Sequence, residues 1–431
     1  MATRPLWGLV FLWWSLDPSP LEALAPSIRR FPGARHALRW PRRSVQLAAT
    51  PTFPLSSLPV EPESLQVLGH GTYGAVYQTQ ELVLKRTSGE ASALKYWERE
   101  ELVNSFVLDA VRQAAPGAWE PQVLDRHVAP FLGTLQLPNA TRYLVWRHCG
   151  GHTLKSFLEA HSLQDLGHAI GLTSATTPMD VLQEVASQLG QVLAALHHVG
   201  ITYRDLKPEN VVVDTDSRCL RLIDFGSASL IRKGEPNEDD VKGVLPCTPS
   251  FAPPDTYQEH QAAPFAFDVY SLAMVLAYCA MPHLRQEAST ESVTTPHVQT
   301  FSEELAEADF NLDGWLQGTI ARALLPVAIL EGLAIFNGSP GKQMWKLLGR
   351  MLRKDPQRRI TMDGFLSSTW LDRQEHPQEL EIDSEACMVG DMAETLPELL
   401  HVELSKPFGL LFEESSPAPG PQGHTGDHGH G

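Results

Sequence analysis

The sequence predicts an α+β fold in which a small antiparallel sheet precedes a larger helical region. Three observations carry this. Strand-like runs come first within residues 63–371, at Leu65–Leu68, Ala75–Gln78, Leu82–Arg86 and Tyr143–Arg147. Helical periodicity dominates later, most clearly in Val181, Leu182, Val185, Leu189, Val192, Leu193 and Leu196. Strands followed by helices, rather than alternating with them, are the pattern of an α+β domain. The first two strands are also separated by glycines, which marks a hairpin.

The glycines come first. Leu68 to Val76 reads Gly69-x-Gly71-x-x-Gly74-x-Val76. Dinucleotide-binding folds use nearly the same spacing, but they need a helix directly after the glycines. Here "AVYQTQELVLK" follows, β-branched and alternating with a polar turn at Gln78–Glu81. The glycines therefore sit at a hairpin tip, where backbone without a Cβ can lie close over phosphates. Lys85 ends the apolar run Leu82–Leu84 and could pair a nucleotide's phosphates if an acid held it. The helix-like "ALKYWEREELVNSFVLDAV" offers Glu98, Glu100 and Glu101.

The amphipathic helix over 181–196 leads into "GITYRDLKPENVVVD", Gly200–Asp214, a polar knot followed by a β-branched run. Asp205 would accept or orient the proton of an attacking hydroxyl. Lys207 would neutralise a transferring phosphoryl group, and Asn210 would hold a magnesium ion. A second metal-binding acid is needed, and "LIDFG" supplies Asp224 at a strand end, with room for a hairpin after Asp205. Singly these are ordinary surface polarity. In this order they describe phosphoryl transfer.

Those residues resemble the protein kinase superfamily over residues 63–371, and "DLKPEN" resembles its serine/threonine branch. The resemblance implies a bilobal fold, with an antiparallel-sheet N-lobe and a helical C-lobe. It implies γ-phosphoryl transfer from magnesium ATP to a serine or threonine of a protein. It assigns catalysis to Asp205, Lys207 and Lys85, and magnesium to Asn210 and Asp224. ATP contacts fall to Leu68, Gly69, Gly71, Gly74, Val76, Lys85, Glu101 and Trp146. Glu101 is favoured over Glu100 as the partner of Lys85 because Leu102 and Leu108 then resemble the apolar positions after the family's helix glutamate. Trp146, in "YLVWRHC", falls at the gatekeeper position and would close the pocket behind the adenine. "CTPSFAPPD" resembles the end of an activation segment, with Asp255 for the usual glutamate and Arg359 as its partner. "DVYSLA", Asp268–Ala273, resembles the helix that anchors the catalytic loop.

Tyr203 stands where the family usually has histidine, and a tyrosine can equally pack and hydrogen-bond toward the metal-binding motif. The segment from Val76 to Lys85 is shorter than usual. Arg204 suggests control by phosphorylation, with Ser229 or a neighbour upstream of Thr248 as the site. The acidic run Glu235–Asp240 could replace the phosphate permanently. Thr248 is expected to touch the catalytic loop instead. The rival reading is a pseudokinase acting as a nucleotide-gated scaffold. Its usual sign, loss of Lys85, Asp205 or Asp224, is absent. A kinase of small molecules or lipids is disfavoured by "DLKPEN" with "DFG".

"EELVN", "FNLDGW" and the long segment between 281 and 345 further resemble the thylakoid state-transition kinases of chloroplasts, which act on light-harvesting and photosystem proteins. That implies association with thylakoid membranes through substrates. The N-terminus agrees. The apolar run Leu6–Leu16 with "ALA" at Ala23–Ala25 reads as a signal peptide over 1–25, too short for a span of about 20 residues. Residues 26–60 carry Arg29, Arg30, Arg35, Arg39, Arg42 and Arg43 and no acid, the composition of a transit peptide. The pair resembles the two-part leader of algal secondary plastids. A secretory signal plus linker, or a membrane anchor by Leu6–Leu16, stays open.

The net charge of −17 excludes a nucleic-acid footprint, which needs a basic face. Five scattered cysteines exclude a disulfide framework or a zinc site. Residues 372–414 read as an acidic extension, with a faint resemblance of 401–414 to a plastid PDZ-like strand pair. Residues 415–431 read as a disordered Pro/Gly/His tail.

Overall fold

The computed structural model describes residues 50–58, 66–71, 74–87, 89–113, 117–173, 177–231, 247–254, 263–289, 294–321 and 327–372. The N-lobe sheet has five strands: β1 (Gln66–Gly71), β2 (Gly74–Gln78), β3 (Leu82–Thr87), β4 (Phe131–Gln136) and β5 (Arg142–Arg147). Their order is β1-β2-β3-β5-β4, antiparallel at every pairing. The β2–β3 turn is tight, closed by Thr79 N–H on the Leu82 carbonyl at 2.8 Å. Helix α1 (Ala91–Arg112) crosses the sheet, and α2 (Glu120–His127) returns the chain to β4.

Folded structure begins earlier than residue 63. Thr52 bridges Thr134 of β4, and Phe53 and Leu58 pack on the cluster of Leu82, Leu84, Leu135 and Val145. The end of the stretch read as transit peptide or linker is thus seated on the sheet.

The C-lobe is helical. It comprises α3 (Leu154–Ala160), α4 (Leu163–Ala169), α5 (Pro178–His198), α6 (Ala266–Ala280), α7 (His297–Glu307), α8 (Leu312–Ala321), α9 (Val327–Ala334), α10 (Gly338–Met351) and α11 (Met362–Leu366). Helix α5 starts with a reciprocal cap between Thr177 and Asp180 and has Pro178 in its first turn. Its predicted apolar stripe is buried throughout. Helix α6 is buried at every position, as an all-round apolar helix must be. Short strands flank the catalytic loop and the Asp224 segment. They are β6 (His152–Thr153), β7 (Ile201–Thr202), the hairpin β8 (Val211–Asp214) and β9 (Cys219–Leu222), and β10 (Ser229–Leu230). Among the described residues, no helix is long and apolar enough to cross a membrane.

Candidate active site

The cleft between the lobes is lined by Gly74, Val76, Lys85, Glu100, Asp205, Lys207 and Asp224, with Gly226 and Ser227 beside them. Gly74 ends the β1–β2 hairpin opposite Gly71 and also pairs Thr87. A Cβ there would lie 1.9 Å from the Arg86 carbonyl oxygen, so only glycine permits this approach of β2 to β3. Leu68 and Gly69 lie on β1 and are exposed, with open space where a Gly69 Cβ would point. Leu68 and Trp146 are not among the residues lining the polar end of the cleft.

Lys85 is held between two carboxylates. Its Nζ lies 2.7 Å from Glu100 Oε2 and 3.0 Å from Asp224 Oδ1. The expected partner, Glu101, is not there. It accepts two bonds from Arg142 of β5 and one from Thr134 of β4. The reason is helical rotation. Ala93, Trp97, Glu100, Asn104 and Val107 repeat at alternating steps of four and three and are all buried. Glu100 continues that stripe, whereas Leu102, which had favoured Glu101, is exposed.

Burial opposes charge at Lys85, but Asp224 and Glu100 together hold its ammonium above the ordinary lysine range. Against the desolvation of the cleft, Lys85 beside it brings the Asp224 carboxyl below the usual range. Burial raises the Glu100 carboxyl, with Lys85 pulling the other way. Asp224 has a left-handed backbone, φ 57°, which a non-glycine residue adopts only when its surroundings enforce it.

The catalytic loop is fixed from below. Asp268, in the first turn of α6 and wholly buried, accepts from Tyr203 N–H at 2.8 Å and Arg204 N–H at 2.7 Å. His197 Nε2 lies 2.8 Å from the same carboxylate. Tyr203 donates its hydroxyl to the Ile223 carbonyl and stacks edge-on against Phe225 at 5.1 Å. Burial raises its phenol well above the usual range, so the donor persists. Tyrosine thus packs and bonds toward the Asp224 loop, as expected.

Asp205 is oriented by four donors. Lys207 Nζ and Asn210 Nδ2 each lie 2.8 Å from Oδ2, and Thr248 gives its N–H and hydroxyl to Oδ1 at 3.2 and 3.0 Å. Lys207 also donates to Thr248 Oγ1 at 2.7 Å. Asn210 spends its amino group on Asp205, keeping its carbonyl oxygen as a hard donor. With Asp224, whose side chain is 42% exposed, this makes one carboxylate and one amide oxygen. Magnesium is held by such sparse oxygen sets when substrate phosphates complete them, so these residues fit it. Among the described residues no cluster of three His, Cys, Asp or Glu offers a rival metal site.

Other expectations divide. Ser229 is buried in β10, paired with Thr202 of β7. It is therefore no accessible phosphorylation site, contrary to expectation. Trp146 is buried on β5 against Phe131, with its indole toward α1. Arg359 is buried, its guanidinium on backbone carbonyls of Ala266 and Lys354 and over the Tyr270 ring. Asp255, residues 235–240, the leader over 1–25, most of 26–60, residues 373–414 and the tail lie outside the described residues. Sequence reasoning missed Asn104 and Trp97, whose signal was the α1 stripe.

Comparison with known proteins matches residues 63–371 to the Protein kinase domain family. The chain is 25% identical over 341 residues to the chloroplastic serine/threonine-protein kinase STN7 of Arabidopsis thaliana, covering 71% of this chain and 56% of that protein. It is 27% identical over 281 residues to the chloroplastic serine/threonine-protein kinase STN8 of the same plant, covering 58% and 53%. The chain thus spans about half the length of these curated relatives. The crystal structure of a Stt7 homolog from Micromonas algae, soaked with ATP, shares its fold. The TM-score is 0.56 at 22% identity, covering 75% of this chain and 96% of that one.

Proposed function

Because this chain belongs to the protein kinase family, we propose that it transfers the γ-phosphoryl group of ATP to serine or threonine hydroxyls of proteins. The observation that carries this reading is Lys85, placed between Glu100 and Asp224 across the cleft from Asp205. Lys85 binds phosphate oxygens, and Glu100 keeps its ammonium from swinging away. Asp205 takes the substrate hydroxyl's proton or aims its lone pair, with Thr248 and Lys207 fixing the carboxylate. Lys207 faces the charge that develops on the transferring group. Asn210 and Asp224 would hold magnesium, which would neutralise phosphate charge. The glycine hairpin lies over the phosphates and limits water.

The substrates are plastid proteins, including proteins at thylakoid membranes, in this reading. It draws on the chloroplastic relatives and on the composition of residues 1–60, which reads as a two-part leader. The test uses purified full-length protein with magnesium and γ-labelled ATP, offered thylakoid membranes or a general serine/threonine peptide. Native protein is expected to incorporate label. Asp205→Ala should abolish transfer while retaining ATP binding, and Asp224→Ala should lose magnesium-dependent binding too. Robust transfer by Asp205→Ala would sink the assignment. Imaging the chain with a C-terminal fluorescent tag tests the plastid location separately.

A further inference from the structure

We propose that His198 is a pH-sensitive clamp: as a cation it joins α2 to α11, and on losing its proton it frees the end of α2 that the chain reaches from α1. As control of transfer, this rests on the phosphotransfer reading above. His198 lies in the last turn of α5, half-buried between the two other helices. Its Nδ1 is 3.3 Å from Glu120 Oε1, in the first turn of α2. Its Nε2 is 3.3 and 3.4 Å from the two carboxylate oxygens of Asp363, in the first turn of α11. The Trp119 ring, just before α2, meets the imidazole edge-on at 5.3 Å.

Both ring nitrogens face carboxylates, and only the imidazolium has an N–H for each. A neutral ring would turn a lone pair on one of the two. The carbonyl end of α5 adds partial negative charge on the same side. Asp363, and after it Glu120, hold the His198 pKa above its ordinary 6.5, against the burial of the ring. His198 in turn keeps the Asp363 carboxyl below the usual range, so that partner stays ionised. The adjacent His197 is committed elsewhere, 2.8 Å from Asp268. A folded-state pKa above the unfolded one stabilises fully below pH 6.5, and that contribution is lost as pH rises through the folded value. The far end of α2 lacks this sensitivity. Arg221, which stays charged, donates to the Asp125 and Val128 carbonyls at 3.0 and 3.2 Å. Ala129 N–H donates to the Leu222 carbonyl at 3.0 Å, and His127 is held neutral by burial, with a pKa of about 4. Losing the His198 proton therefore loosens the start of α2 while β9 keeps its end. That start follows α1, which carries Glu100 and packs on α2.

The test uses the full chain and two variants, His198→Gln, which is neutral, and His198→Arg, a permanent cation. The His198 ring is followed by NMR, its signal identified by loss in His198→Gln. Its titration midpoint should lie above 6.5 and should fall in both Asp363→Asn and Glu120→Gln. A second readout is amide exchange along α2, corrected for the intrinsic rate. Exchange should quicken by at least about threefold between pH 6 and pH 9 in native protein, while each variant stays level. Over the same range, native kcat relative to that of His198→Gln should fall by at least about twofold. A merely structural role predicts a variant that is weaker by the same factor at every pH. A His198 midpoint at or below 6.5 would overturn the proposal, and so would an equal pH response of α2 in His198→Gln. A kcat ratio that ignores pH, in protein that does transfer phosphate, would overturn it as well. The exchange response in a native protein that transfers nothing would uphold the clamp and defeat the phosphotransfer reading instead.

Discussion

Replacing Glu100 by glutamine should cripple transfer, whereas the same change at Glu101 should barely matter. The two residues are adjacent and chemically identical, so only their surroundings differ. The Glu100 side chain is 2% exposed and sits 2.7 Å from a Lys85 side chain that is 15% exposed. Removing one partner of a buried ion pair costs about 3–5 kcal/mol. Glutamine can still accept a hydrogen bond, and Asp224 remains 3.0 Å from Lys85, so the loss falls at or below the lower end. About 2–3 kcal/mol corresponds to a fall of roughly 30- to 160-fold in kcat/KM. Glu101 pairs with Arg142, whose side chain is 42% exposed, and such pairs contribute about 0.2–1 kcal/mol. Glu101→Gln should therefore cost about fivefold or less. The assay is initial-rate phosphorylation of a peptide at varied ATP, with circular dichroism to confirm folding. Equal losses, or a larger loss for Glu101→Gln, would refute the assignment of the lysine's partner.

Trp146→Gly should open space behind the adenine and admit bulky N6-substituted ATP analogues that native protein ignores; tight analogue binding by native protein would mean the indole does not close that space. His127 is buried, its Nδ1 2.9 Å from the Leu220 carbonyl, and burial lowers its pKa to about 4. The unfolded chain takes up that proton first, so stability should decline as pH falls from about 6.5 to 4, by about 1 kcal/mol at pH 5.5. His127→Gln should flatten this limb in urea titrations, and an unaltered limb would rule His127 out. Gly74→Ala should force β2 from β3, costing about 1–3 kcal/mol and weakening ATP binding, and native values for both would contradict the 1.9 Å contact.

Asp205, Lys207, Asn210 and Asp224 were legible from sequence because their chemistry is carried by short, ordered segments. Backbone connectivity alone brings Lys207 and Asn210 to Asp205. The hairpin of β8 and β9 then returns the chain to place Asp224. The α5 stripe was equally plain, since its apolar residues keep one period from cap to end. Strand β4 carried no such signal. It is interrupted by Gly133, where the chain shifts register against β5 and a Cβ would strike the Pro51 carbonyl at 2.1 Å. The seating of residues 50–58 on β4 and the burial of Ser229 beside Thr202 were hidden too. Both are pairings between segments distant in sequence, and neither partner's composition announces the other.

The choice between Glu100 and Glu101 marks the boundary most clearly. Local sequence determined that a helix with adjacent acids follows Lys85. Which acid turns inward was decided by packing. Trp97, Asn104 and Val107 bury one face of α1 against the sheet, and neighbouring residues on a helix point about 100° apart. Rotation of a helix about its own axis costs nothing until another surface meets it. That orientation therefore exists only in the assembled lobe, where the indole of Trp146 finds the amide of Asn104.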